Sequence, residues 1–146
     1  MKDIWYADKR DLVKWSVLIK LAELNQAEKI IQIAYYRISE IDKMEIDIDG
    51  VGHKLPDAVI NHFRRIQNIR ELKTDIEICI FDEPFENRQE YHNKVVKHLA
   101  NQMNKKCIVF VDPDTGLQPP KSKAAYQHVL NNEILMIWHS MKKDSE

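Results

Sequence analysis

Apolar residues recur at helical spacing through Leu12, Trp15, Leu18, Ile19 and Ala22, which predicts a helix over about 9–24 with one broad buried face. Asp8 stands at the N-cap position, and Asp11 falls in the first turn, where the helix dipole favours a negative charge. The pattern then changes. Residues 30–37, IIQIAYYR, are rich in β-branched and aromatic side chains and predict a strand. Met44 to Asp49 alternates apolar and acidic residues, the signature of a short edge strand or exposed hairpin arm ending at Gly50 and Gly52. Pro56 suits the first turn of a helix over about 57–66, with a second short helix towards Leu72.

A strand follows over about 75–81, and Asn87 caps a helix in which Glu90 completes a capping-box-like pair. Tyr91, Val95, Leu99 and Met103 give that helix its buried stripe. Cys107 to Val111 is the next strand, and a helix over about 124–142 carries Val129, Leu130, Ile134, Ile137 and Met141. Strands alternating with helices predict an α/β three-layer sandwich with a short, mostly parallel sheet in one domain. Three firm strands and one weaker one make a thin sheet. Either a partner subunit completes it, in a homo-oligomer, or the domain is a shortened version of a larger fold.

Composition narrows the partners more than the fold. At 146 residues, 44% hydrophobic and 31% charged, the chain has the make-up of a globular domain able to bury its own core. A formal charge of −1 gives no global attraction to nucleic acid or to anionic membranes, so a nucleotide or nucleic-acid partner has to be held by a local patch. The densest basic cluster is His62-Phe63-Arg64-Arg65 with Arg70 and Lys73, which reads more readily as a solvated helix face. No apolar run approaches a membrane span, and the first residues lack the apolar stretch of a secretory signal. Cys79 and Cys107 read as reduced core thiols, and the expected location is cytoplasmic. Neither has a Cys or His at ligand spacing, and the six histidines show none either, so no metal ligand set is predicted.

The candidate chemistry lies at strand ends. Asp112-Pro113-Asp114-Thr115-Gly116 follows a strand and holds one of only three glycines. Open α/β sheets bind ligands at the carboxyl ends of their strands, which makes Asp112, Pro113 and Asp114 the candidate catalytic residues. The same residues also make a good turn. A second acidic strand end, Phe81-Asp82-Glu83-Pro84-Phe85, sets Asp82 beside the same crevice if the strands are neighbours. Asp82 and Asp112 could then share Mg²⁺ for phosphodiester chemistry, with Lys121 or Lys123 assisting. Near the amino terminus, Trp5 and Tyr6 beside Lys9, Arg10 and Lys14 offer stacking and charge for a nucleotide. The pair Gly50 and Gly52 lacks the third glycine of a dinucleotide-binding turn, and no nucleophile elbow or P-loop is present.

Two of these segments carry a resemblance. Tyr6-Ala7-Asp8-Lys9-Arg10-Asp11-Leu12-Val13-Lys14-Trp15 and Val109-Phe110-Val111-Asp112-Pro113-Asp114-Thr115-Gly116-Leu117 are similar to motifs of a small bacterial family of uncharacterised proteins. More remotely, they resemble the Rossmann-like S-adenosylmethionine-dependent N6-adenine methyltransferases. Those enzymes carry Asp/Asn-Pro-Pro-Tyr/Phe at a strand end, where the first side chain accepts hydrogen bonds from the target amine and the aromatic stacks on a flipped base. Asp112 and Pro113 match; Asp114 and Thr115 stand where the second proline and the aromatic would be. The resemblance implies a Rossmann-like, truncated fold, S-adenosylmethionine as cofactor, and Asp8, Lys14 and Asp82 on the cofactor side. Three readings follow: a methyltransferase-like domain, a Mg²⁺-dependent phosphodiesterase or nuclease, and a non-catalytic self-associating or partner-binding domain.

Overall fold

The computed structural model describes residues 6–37, 45–62, 65–113, 116–118 and 128–142. Trp5, Met44, Phe63, Arg64, Asp114, Thr115, Lys121 and Lys123, singled out above, lie outside them. Helix α1 (Lys9–Asn25) begins where Asp8 accepts the main-chain N–H groups of Arg10 and Asp11. It ends where Gln26 turns left-handed, with φ of 53°. Trp15, Leu18 and Ala22 are buried as the spacing predicts, but Leu12 is 69% exposed, and Val13, Val17 and Leu24 are exposed beside it. The apolar face of α1 is wider than the sheet it covers.

Strand β1 (Lys29–Ile33) is buried throughout and, among the described residues, is the only strand paired on both sides. It runs parallel to β4 (Glu77–Phe81) on one side and to β5 (Cys107–Val111) on the other, in a sheet ordered β4-β1-β5. Alternation along β1 splits the core. Ile30 and Ala34 pack with Trp15, Leu18 and Ala22 of α1 and with Ile66 and Ile69 of a 3₁₀ turn (Ile66–Glu71). Ile31, Ile33 and Tyr35 pack instead with Tyr91, Val95 and Leu99 of α3 (Arg88–Gln102) and Ile137 of α4 (Asn131–Lys142). The architecture is mixed α/β, with helical layers on both faces of a small parallel sheet. No helix among the described residues is long and apolar enough to cross a membrane.

The weak strand belongs to a separate antiparallel hairpin, β2 (Glu45–Ile48) and β3 (Val51–Lys54), exposed along its whole length. Asp49 and Gly50 both have positive φ, 54° and 81°, as a type I′ turn needs, so Asp49-Gly50 closes a hairpin and Gly52 lies within β3. Helix α2 covers Asp57–His62, shorter than the pattern predicts, and Arg65 is extended before the 3₁₀ turn. The predicted strand over 30–37 breaks at Tyr35, whose φ is 46°, and resumes as an isolated bridge between Tyr36 and Pro84. The last helix begins at Asn131, because Val129 bridges to Leu117 as extended chain and the Glu133 carboxylate accepts from the Leu130 N–H at 2.7 Å. Asn87 caps α3 through the Glu90 N–H, but the Glu90 side chain pairs with Lys94 and leaves the box half made. Both cysteines are free thiols, half-buried rather than buried, and burial raises the thiol pKa of each.

Two buried polar groups hold the helices to β1. Lys29, 3% exposed, donates to the Gln102 carbonyl at the end of α3 and pairs with Glu77, which satisfies a helix carboxyl terminus with a cation. On the α3–α4 face, the Tyr35 hydroxyl lies 2.8 Å from His92 Nε2, while His92 Nδ1 lies 2.8 Å from the Arg88 carbonyl. A carbonyl only accepts, so Nδ1 carries the proton and Nε2 accepts from Tyr35. Arg88 bonds to Glu133, which also lies 3.4 Å from His92.

Burial pulls the His92 imidazole below its ordinary value, against the Arg88 carbonyl and Glu133, and burial does the same to His98. The unfolded chain therefore binds more protons than the folded one as pH falls through about 6.5, and stability declines there. Urea unfolding midpoints should hold steady above neutrality and fall progressively below that pH. His92→Gln should flatten part of the decline, whereas Tyr35→Phe should keep it.

Candidate functional site

Parallel pairing puts the carboxyl ends of all three strands at one edge of the sheet. Phe81, Ile33 and Val111 are in register across it, so Asp82, Ala34 and Asp112 follow in a row. The chain leaves β1 towards the face carrying the 3₁₀ turn, whereas the chain after β5 reaches α4 on the opposite face. Asp112 stands at the carboxyl end of β5 beside β1, and open α/β sheets bind ligands where neighbouring strands send their connections to opposite faces.

Asp112 is 8% exposed and fully engaged. Lys14 Nζ donates to its two carboxylate oxygens at 3.1 and 3.2 Å, and Gln32 Nε2 donates to Oδ2 at 2.9 Å. Its own N–H donates to the Ile33 carbonyl at 3.0 Å. Lys14 also pairs with Asp11 at 2.6 Å, and Asp11, 3% exposed, accepts from the Ala7 N–H at 3.0 Å. One ammonium thus serves two buried carboxylates. Burial raises the Asp112 pKa above its ordinary value, with Lys14 and Gln32 working against that shift. Burial also pulls the Lys14 ammonium down, but Asp11 and Asp112 outweigh it and hold Lys14 above its usual value.

The predicted residues meet this geometry unevenly. Asp112 and Lys14 are in direct contact, and Pro113 follows Asp112, half-buried. Asp8 lies at the head of the same helix, where capping bonds, the Asp11 N–H first, hold its carboxyl low. Asp114 falls outside the described residues. Gly116 supplies the positive φ of the turn, 81°. Asp82 is not drawn to Asp112: it takes Gln67 Nε2 at 2.8 Å and Arg70 at 3.3 Å, two strand spacings, about 10 Å, from the other aspartate. A shared Mg²⁺ would have to displace a separate cation from each. Among the described residues no three His, Cys, Asp or Glu side chains come together as a cation site.

The segment that follows the first strand bears on the cofactor. It reads Ala34-Tyr35-Tyr36-Arg37, and Tyr35 is 2% exposed, packed on Phe85 and Tyr91. No glycine there lets main chain approach a cofactor, and the acidic residue of the neighbouring strand is already bound by Arg70. These residues do not fit S-adenosylmethionine seated on a glycine turn. An open groove of about 900 Å³ lies elsewhere, between Leu12, Trp15, Ser16 and Ile19 of α1 and the segment Leu72 to Asp75. It borders α1 but does not include Asp112, and the strand-end chemistry rather than the volume marks the site.

Gln32 and Asp11 are the site residues that sequence reasoning missed. Gln32 is the one polar side chain within the IIQIA run, a visible signal, since a polar residue on a buried strand needs a partner. Comparison with protein-family models, with curated proteins and with solved structures finds no match to this chain.

Removing Lys14 leaves two buried carboxylates without their cation. Lys14→Met should cost about 2 kcal/mol, less than for a fully buried pair because Lys14 is one-third exposed. In an Asp112→Asn background the same change should cost about 1 kcal/mol less, a coupling readable from urea unfolding of the four chains. Strict additivity would show that the contact carries no energy.

Proposed function

We propose that this chain is a Rossmann-like α/β domain that recognises an amine-bearing nucleotide or nucleic-acid base at Asp112-Pro113. On this reading it shares the strand-end motif of N6-adenine methyltransferases without their cofactor seat. The observation that carries the reading is the Lys14–Asp112 contact, which joins the two sequence segments that bear the resemblance, 98 residues apart.

An ionised carboxylate only accepts hydrogen bonds, so Asp112 is built for a donor such as an exocyclic amine. Gln32, 1% exposed, fixes the carboxylate from below. Lys14 is the exchangeable partner, because a third of its side chain reaches solvent. The incoming amine takes the place of Lys14 on Asp112, and the released ammonium turns to the phosphate of the same nucleotide. Asp11 stays within reach of Lys14 and limits how far it swings. Pro113 stiffens the chain on which the base rests. A second reading, self-association, is favoured by the open edge of β5.

Thermal unfolding with adenosine monophosphate, single-stranded DNA, S-adenosylmethionine, S-adenosylhomocysteine and Mg²⁺ tests the proposal. Adenosine monophosphate near ten times its dissociation constant should raise the midpoint by about 4 °C. Asp112→Asn should abolish that rise. S-adenosylmethionine should do no better than adenosine, and a larger shift would overturn the missing cofactor seat. If no adenine-bearing ligand moves the midpoint, amine recognition at Asp112 is wrong.

A further inference from the structure

The two edges of the sheet are finished differently. On β4, the Phe81 carbonyl accepts from the Ala34 N–H and the Glu77 N–H donates to the Glu28 carbonyl, so the odd-numbered residues face β1 and Ile78 and Ile80 face outward. The Ile80 carbonyl is then closed by the Arg70 guanidinium at 3.1 Å. On β5, the Lys106 carbonyl and the Asp112 N–H both bond to the β1 segment, so the even-numbered residues face inward. Cys107, Val109 and Val111 therefore present their main-chain N–H and C=O groups outward, and among the described residues nothing bonds to them. All five β5 side chains are apolar and only partly buried. An unprotected apolar edge of this kind is a template for another strand.

The geometry points to a second copy of this chain as that strand: we propose that β5 pairs with β5 of a partner protomer, antiparallel about a two-fold axis at Val109, to give a continuous six-stranded sheet.

Three features of the strand fit its own copy. First, the outward residues are odd-numbered, and centring on Val109 sets Val109 opposite Val109 and Cys107 opposite Val111, so outward groups meet outward groups. Second, every side-chain pair within the strand is apolar on apolar: Ile108 meets Phe110 on the α1 face, and Cys107 meets Val111 on the other. Third, the register keeps the flanking lysines apart, because it sets Lys105 opposite Pro113 and Lys106 opposite Asp112 rather than either opposite its own copy. Helix α4 shares its core with Val109 and Val111, and its Leu135 and Trp138 are each more than half exposed. The inference stands apart from the ligand reading, since none of the outward groups belongs to the Asp112 site.

The register gives the test. Cys107 of one chain lies opposite Val111 of the other, within disulfide reach, whereas the two Cys107 residues lie about 13 Å apart along the strands. Sedimentation of the full chain should give about twice the 17.3 kDa of one chain, dissociating on dilution. Val111→Cys should become a covalent dimer under mild oxidation, Cys107→Ser in that background should prevent it, and the parent chain should not cross-link. Val109→Pro, which removes an outward N–H and no bond to β1, should yield a folded monomer. A parent chain that stays monomeric at high concentration, or a dimer in which Val111→Cys fails to cross-link, overturns the proposal. The second outcome would move the interface elsewhere, for instance to the exposed apolar stripe of α1.

Discussion

Everything in this domain hangs on a single central strand. Both parallel ladders are built on Lys29–Ile33, and each of its residues is buried, so the strand has no solvent face on which to compromise. Its side chains divide strictly by parity between two helical layers, and its two polar residues mark the two ends of the sheet. Lys29 reaches the last turn of α3 at the amino end, while Gln32 reaches Asp112 at the carboxyl end. A polar side chain buried in such a strand costs free energy unless it is bonded, so the partners of Lys29 and Gln32 are dictated as firmly as the apolar packing.

The carboxyl end of the sheet then carries an electrostatic problem. Parallel strands bring Asp82 and Asp112 to the same edge, and α1 contributes Asp11 beside them. The fold neutralises each carboxylate locally: Arg70 and Gln67 serve Asp82, and one lysine serves both Asp11 and Asp112. The second arrangement is the poorer in positive charge, one ammonium for two carboxylates, although it is burial that raises the Asp112 pKa, with Lys14 and Gln32 working against the shift. Asp82 has a guanidinium to itself, whereas Asp112 shares its ammonium with Asp11, and that sharing is the physical basis of the proposal that a ligand docks at the β5 end rather than the β4 end.

Local rules made part of this legible beforehand. Period-two and period-four patterns located all three parallel strands and the helices after Asp8 and Asn87, because capping and amphipathic spacing are decided within a few residues. The last helix was misjudged because Val129 and Leu130 continue the apolar spacing of Ile134 and Ile137, while the bridge from Val129 to Leu117 and the Glu133 cap are set by neighbours outside that pattern. Leu12 fits the buried stripe of α1 by periodicity, yet the sheet is too narrow to cover it. Lys29, Gln32 and His92 passed unnoticed for a related reason: their partners are distant in sequence, and only strand order brings them together. Asp82 was expected beside Asp112 if their strands were neighbours, but β1 stands between them, and the bond of Asp82 to Arg70 depends on how the 3₁₀ turn folds back, which periodicity does not encode.

The way each strand-end carboxylate is neutralised also decides which edge of the sheet stays open. Arg70 comes to Asp82 from the 3₁₀ turn alongside β4, so the same guanidinium that balances the charge also reaches the outward carbonyl of Ile80. Lys14 comes to Asp112 from α1, above the face of the sheet. It satisfies the carboxylate without approaching the outward main chain of Cys107, Val109 and Val111. A cation delivered from the side closes an edge, and one delivered from above leaves it open. With only one interior strand, two of every three strands in this sheet are edges, and an edge left unpaired exposes half of its main-chain groups. The placement of α1 over β5 therefore links the two unusual properties of this strand. The direction of approach that lets Lys14 satisfy Asp112 from above the sheet is the same one that leaves the outward main chain of β5 without a partner among the described residues.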